Sequence, residues 1–105
     1  MRLDFLSVNS GRAAYGASKA AQWCATRALS REVGTQGVRV KVIAPDITVF
    51  HMNGRITDAA IAEPVASTNM HRIAAPSDID DVAVYLASDL SSEINSQALR
   101  VDGKM

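Results

Sequence analysis

The sequence predicts an α/β fold: a short parallel sheet of two to three strands, a long Ala-rich helix and a second, amphipathic helix. Three observations carry that prediction. Short apolar runs at 3–8, 38–43 and 98–101 alternate with two helical segments. Strands that alternate with helices pair in parallel through right-handed crossovers. The chain has 105 residues, 48% of them apolar, which suffices for one domain core spanning 1–105 and not for two.

Leu3 to Val8, with Phe5 and Leu6, reads as a brief strand, and Asn9, Ser10 and Gly11 supply turn and cap chemistry. Arg12 to Val33 is Ala-rich and free of proline. Ala13, Ala17, Ala20, Ala21, Cys24, Ala28 and Leu29 recur along it at helical spacing. Gly34 is the expected C-cap. Val38 to Ile43 alternates β-branched and basic residues before turning wholly apolar, as a strand entering a sheet does, and Pro45 stops it. Asp46 to Ala75 has no sustained apolar period and reads as a loop-rich insertion with a short helix over Thr57–Glu63. Pro76-Ser77-Asp78 opens the second helix, with Ser77 as expected cap and Asp78, Asp80 and Asp81 at the positive end of its dipole. Ile79, Val82, Ala83, Leu86 and Ala87 form its apolar stripe. Ala98–Val101 is the last strand, stopped at Asp102-Gly103.

Composition excludes several function classes. Eleven Lys plus Arg balance eleven Asp plus Glu, and no basic run exists, so nucleic acid is not an expected partner. No stretch reaches the roughly 18 uninterrupted apolar residues of a membrane span, and the opening Met1-Arg2-Leu3-Asp4-Phe5 lacks a signal-peptide core. A soluble cytoplasmic domain is the expectation. One cysteine, Cys24, forms no disulfide framework and is expected to be a small buried hydrophobe. His51 and His71 lack metal-ligand spacing and read as surface residues. Trp23 reads as a packing or interface anchor.

Tyr15 and Lys19 stand four apart on the long helix and therefore share a face one turn apart. A phenol beside an ammonium is an acid–base pair. Lowering a phenol pKa from about 10 to about 7 takes roughly 4 kcal/mol. A unit charge about 4 Å away supplies on the order of 4 kcal/mol at an effective dielectric of 20. Taken alone, the pair reads as two surface neighbours on a helix, because motifs of this kind recur by accident.

Context separates these readings. Tyr15-Gly16-Ala17-Ser18-Lys19-Ala20-Ala21 resembles the Tyr-x-Ala-Ser-Lys-Ala-Ala signature of the short-chain dehydrogenase/reductase family. Ala28–Gly34 with Gly37-Val38-Arg39-Val40, Ile43-Ala44-Pro45-Asp46, Pro76–Ile79 through Tyr85–Asp89, and Val101-Asp102-Gly103 resemble further family segments in the family's order. The resemblance implies a partial Rossmann-like fold and hydride transfer between NAD or NADP and an alcohol or ketone. It implies that Tyr15 exchanges a proton with the substrate oxygen and that Lys19 lowers the Tyr15 pKa and binds the nicotinamide ribose. Pro45, Asp46, Ile47 and Thr48 would lie beside the nicotinamide. Ser7 stands in for the family serine if the loop before Tyr15 is shortened, whereas Ser10 reads as a helix cap.

The family's Gly-x-x-x-Gly-x-Gly pyrophosphate turn belongs far upstream of the tyrosine. The fourteen residues ahead of Tyr15 contain one glycine, Gly11, so this chain alone is not expected to bind NAD(P). Asp46 for the second residue of the Pro-Gly pair, Phe50 for a cofactor-binding Thr, Asn95-Ser96 for Thr-Gly and Lys104 for the last Gly are further departures. The leading expectation is a truncated short-chain dehydrogenase/reductase, inactive alone. The alternatives are a non-catalytic oligomerising interaction module and one half of a split oxidoreductase completed in trans by an N-terminal half. The open sheet edge and the Ala-rich helix, which in the family packs against another subunit, imply a homo-oligomer.

Overall fold

The computed structural model describes residues 13–45, 65–66 and 68–103. The expected strand at 3–8, the short helix at 57–63, His51 and Phe50 lie outside them. The described architecture is helix, strand, helix, strand: α1 (Ala13–Val33), β1 (Val42–Pro45), α2 (Pro76–Ala87) and β2 (Ala98–Val101). β1 and β2 pair in parallel, Val42 opposite Ala98 through Pro45 opposite Val101, as the alternating order requires.

The 21-residue α1 runs where the uninterrupted Ala-rich segment placed it. Its termination is a correction. Gly34 opens a 3-10 turn, Gly34–Gln36, and the left-handed residue is Gly37 at φ +78°. The Gly37 amide donates to the Gly34 carbonyl at 3.0 Å and Val38 to Val33 at 3.3 Å, so the helix tightens before it reverses. The inward face is a second correction. Of the expected stripe only Ala20 is partly covered; Ala13, Ala17, Ala21, Cys24, Ala28 and Leu29 are exposed, and Cys24 is an exposed thiol. Beside Ala20, Lys19, Trp23, Thr26, Ser30 and Val33 are covered, and only Ser30 fully. Thr26 and Ser30 can face inward because their hydroxyls donate to their own helix, to the carbonyls of Gln22 and Arg27, both at 2.8 Å.

β1 starts later than the β-branched run, at Val42. The preceding residues are held by other bonds: the Asn95 side-chain oxygen accepts from the Val40 amide at 2.9 Å and from the Ser96 amide at 3.0 Å. Ser96 sits at φ +58°, in the left-handed region. β2 has the expected bounds.

The start of α2 is a third correction. Ala75, not Ser77, is the N-cap, and the Asp78 carboxylate accepts the Ala75 amide at 2.8 Å and the Arg72 guanidinium at 3.1 Å. Those two bonds, the amide first, hold the Asp78 carboxyl below the usual carboxylate range. Ile79, Val82 and Leu86 of the expected stripe turn inward while Ala83 and Ala87 are exposed. Ala44 of β1 and Leu86 of α2, on two elements that pack together, are the buried apolar residues among those described.

The other end of α2 is clamped by the two basic residues that precede β1. Arg39 donates to the carbonyls of Ser88 at 3.2 Å and Ser91 at 2.5 Å and to the Ser91 hydroxyl at 3.0 Å. Lys41 Nζ donates to the Leu86 carbonyl at 2.6 Å, the Ser91 carbonyl at 3.1 Å and the Ser91 hydroxyl at 2.7 Å. Two cations thus meet the negative end of a helix dipole. Desolvation, and then the neighbouring Arg39 charge, push the Lys41 ammonium below its ordinary pKa.

Candidate active site

Tyr15 and Lys19 lie in the first two turns of α1. The absence of proline and β-branched residues from the segment around them keeps the helix regular, so the four-residue spacing becomes real proximity. Lys19 Nζ sits 5.5 Å from the centroid of the Tyr15 ring, a cation–π arrangement, with Tyr15 40% exposed and Lys19 partly covered. The ammonium therefore reaches the ring face and the phenol remains open to a reactant. Ser18, between them, donates its hydroxyl to the Tyr15 carbonyl at 2.7 Å and is thereby committed to the backbone. Gly16 is a helical position with open space where a side chain would stand.

Pro45 is the last residue of β1, opposite Val101, at the C-terminal edge of the parallel pair. Ligands of open α/β sheets bind outside the carboxyl ends of the strands, so Pro45 has the right address for a cofactor neighbour. Ser7, Asp46, Ile47 and Thr48 lie outside the described residues. Lys19, with three N–H donors, suits the hydroxyls of a ribose. The N-terminus of α2 does not suit a pyrophosphate. A phosphate cradle needs free amides at a helix N-terminus. At α2 that position is taken by the Asp78 carboxylate, and Pro76 brings no N–H.

Sequence reasoning missed a second polar cluster at this sheet edge. Arg72 pairs with Asp78 at 3.1 Å, and Arg100 donates through Nε and Nη2 to Asp102 at 2.8 and 2.5 Å. The loop carrying Arg72 is tied to the end of β2 by the Asn69 amide, which donates to the Gly103 carbonyl at 3.0 Å. The Asp102 of the closing Val-Asp-Gly segment was the available signal.

A family model described as enoyl-(acyl carrier protein) reductase matches residues 4–104. The chain belongs to the short-chain dehydrogenase/reductase family. It is 37% identical over 89 residues to a 3alpha-hydroxysteroid dehydrogenase of Mediterraneibacter gnavus, covering 85% of this chain and 36% of that protein. It is 38% identical over 95 residues to the 3-oxoacyl-(acyl-carrier-protein) reductase FabG of Chlamydia trachomatis, covering 90% of this chain and 38% of the relative. Among solved structures, 4-hydroxyisoleucine dehydrogenase complexed with NADH superposes with a TM-score of 0.86 at 27% identity, over 98% of this chain and 43% of that one. A 3-oxoacyl-(acyl-carrier protein) reductase from Brucella melitensis gives 0.80 at 33% identity, over 87% and 34%. The short-chain dehydrogenase/reductase chain thus spans little more than a third of the curated relatives it matches, and the parallel pair with its helices is part of a Rossmann fold. Among the described residues no helix is long and apolar enough to cross a membrane.

Proposed function

We propose that these 105 residues are the acid–base half of a cytoplasmic NAD(P)-dependent oxidoreductase acting on an alcohol or ketone, and that they do not turn over by themselves. The observation that carries this reading is the Tyr15–Lys19 pair, one turn apart on a partly open helix face, in a chain of this family. In the reductive direction the Tyr15 phenol gives its proton to the substrate oxygen, and in the oxidative direction its phenolate takes one back. Lys19 holds the phenolate electrostatically and meets the nicotinamide ribose, with Pro45 and the segment Asp46, Ile47 and Thr48 flanking the ring. Ser7 orients the substrate oxygen. The nicotinamide, when bound, supplies or accepts the hydride.

The poor match of the α2 N-terminus to a pyrophosphate supports the second part of the proposal: a nucleotide-binding half is needed. The same half would cover α1, which has a single buried residue, Ser30, along 21. Where that half is absent, self-association through the uncovered helix makes the chain a homo-oligomer. Cofactor fluorescence tests the reading. NADH and NADPH titrated against the pure chain give no saturable signal, and adding a family nucleotide-binding half produces both binding and turnover. Saturable micromolar binding by the chain alone refutes it. A non-catalytic oligomerising module is the outcome if the reconstituted assembly binds dinucleotide but Tyr15→Phe changes nothing.

A further inference from the structure

Beside the end of β2 lies a cavity of about 330 Å3 that shares no residue with the Tyr15–Lys19 pair. Arg72, Asp78, Arg100 and Asp102 give it charge, and Met70 and Val101 give it an apolar wall. We propose that this cavity binds a small organic acid, its carboxylate held between Arg72 and Arg100 and its apolar body against Met70 and Val101.

Arg72 engages Asp78 through Nη1, and Arg100 engages Asp102 through Nε and Nη2. Guanidinium has five N–H donors in a rigid fork, so Nε and Nη2 of Arg72 and Nη1 of Arg100 remain for a second acceptor. The two aspartates serve to orient those forks. Exposure fixes which charge a ligand meets: the arginine side chains are 53% and 50% exposed, the paired carboxylates 35% and 10%. An anion approaching the cavity therefore meets guanidinium before carboxylate.

The same aspartates limit how much negative charge the site accepts, because a dianion such as phosphate is repelled by both. A monocarboxylate has the smaller penalty and its hydrocarbon body gains from the apolar wall. The volume is at the lower end of the range for small-molecule pockets, and the position is the carboxyl edge of the parallel strands, where α/β sheets receive ligands.

The experiment uses hexanoate and inorganic phosphate as probes on the whole chain, followed by backbone amide NMR shifts at Met70, Val101 and Gly103. Hexanoate shifts these resonances saturably, and phosphate binds more weakly. Arg72→Gln and Arg100→Gln each weaken hexanoate by about tenfold or more, the loss of one charge-assisted contact, while Arg31→Gln leaves it unchanged. Arg72→Lys keeps the ion pair with Asp78 and so keeps the fold, yet loses the fork and also weakens binding. Shifts that grow linearly without saturating, binding indifferent to both arginines, or phosphate binding tighter than hexanoate would each overturn the proposal. Dinucleotide and turnover measurements are not involved, so failure here leaves the oxidoreductase reading untouched.

Discussion

Ser91→Ala tests the account of the α2 clamp most directly. Ser91 is 1% exposed, and its hydroxyl accepts from Arg39 at 3.0 Å and from Lys41 at 2.7 Å while donating towards the Leu86 carbonyl at 2.9 Å. Removing one oxygen takes an acceptor from the guanidinium and from the ammonium, and takes one donor from the Leu86 carbonyl, which keeps Lys41 Nζ at 2.6 Å. A hydrogen bond to a charged group contributes about 1.5–3 kcal/mol, and an orphaned buried partner costs about 1–3 kcal/mol. The remaining bonds of both cations to main-chain carbonyls soften the loss, so the expected net destabilisation is about 2–3 kcal/mol. For a domain of this size that is a fall in Tm of roughly 10–20 °C. Urea unfolding followed by circular dichroism reads the change as a lower midpoint at constant slope. Ser92→Ala, one residue on and exposed, is the control and stays within about 0.5 kcal/mol. A Ser91→Ala chain that unfolds with the control would show that the two cations do not depend on this hydroxyl, and the clamp reasoning would fall.

Four further outcomes follow from other parts of the structure. Tyr15→Phe in a reconstituted assembly lowers kcat by about 10²–10⁴, the size of a lost general acid–base step, with dinucleotide affinity unchanged by fluorescence titration. Gly16→Ala, where a methyl meets open space on a helix, stabilises the chain by about 0.5–1 kcal/mol in a urea titration. Ser96→Gly, at φ +58°, relieves left-handed strain and raises Tm by a few degrees in a calorimetric scan, an effect of order 1 kcal/mol. The folded Asp78 carboxyl titrates below its unfolded value, so its contribution is complete above the ordinary carboxylate pKa and vanishes as pH falls through the folded one. Asp78→Asn accordingly flattens the acid limb of a Tm–pH profile, and an unaltered limb would contradict the assignment.

The sequence made the fold class, the α1 range and the last strand legible because each rests on local pattern: an Ala-rich run without proline, and a short strand stopped by Asp102-Gly103. It misplaced features that tertiary contacts decide. Alternation at Arg39 and Lys41 resembled a half-exposed strand, but both side chains reach across to the end of α2 and the Val40 amide donates to the Asn95 side chain, and the ladder begins only at Val42. The Ala-rich stripe resembled a buried face. Alanine gains little from burial, and the covered face carries Trp23, Thr26, Ser30 and Val33 instead. Within the candidate site, the Tyr15–Lys19 proximity was readable from spacing alone. The Arg72–Asp78 and Arg100–Asp102 pairs were not, because they depend on a loop returning to the end of β2.

The uneven burial of α1 has a consequence for how the molecule is digested. Its Arg27 and Arg31 are exposed on a helix with little holding it down, whereas Arg39 and Lys41 are engaged by several acceptors each. Local opening of a weakly packed helix precedes global unfolding. Brief trypsin treatment therefore cuts after Arg27 or Arg31 before it cuts after Arg39 or Lys41, an order that the product masses read directly.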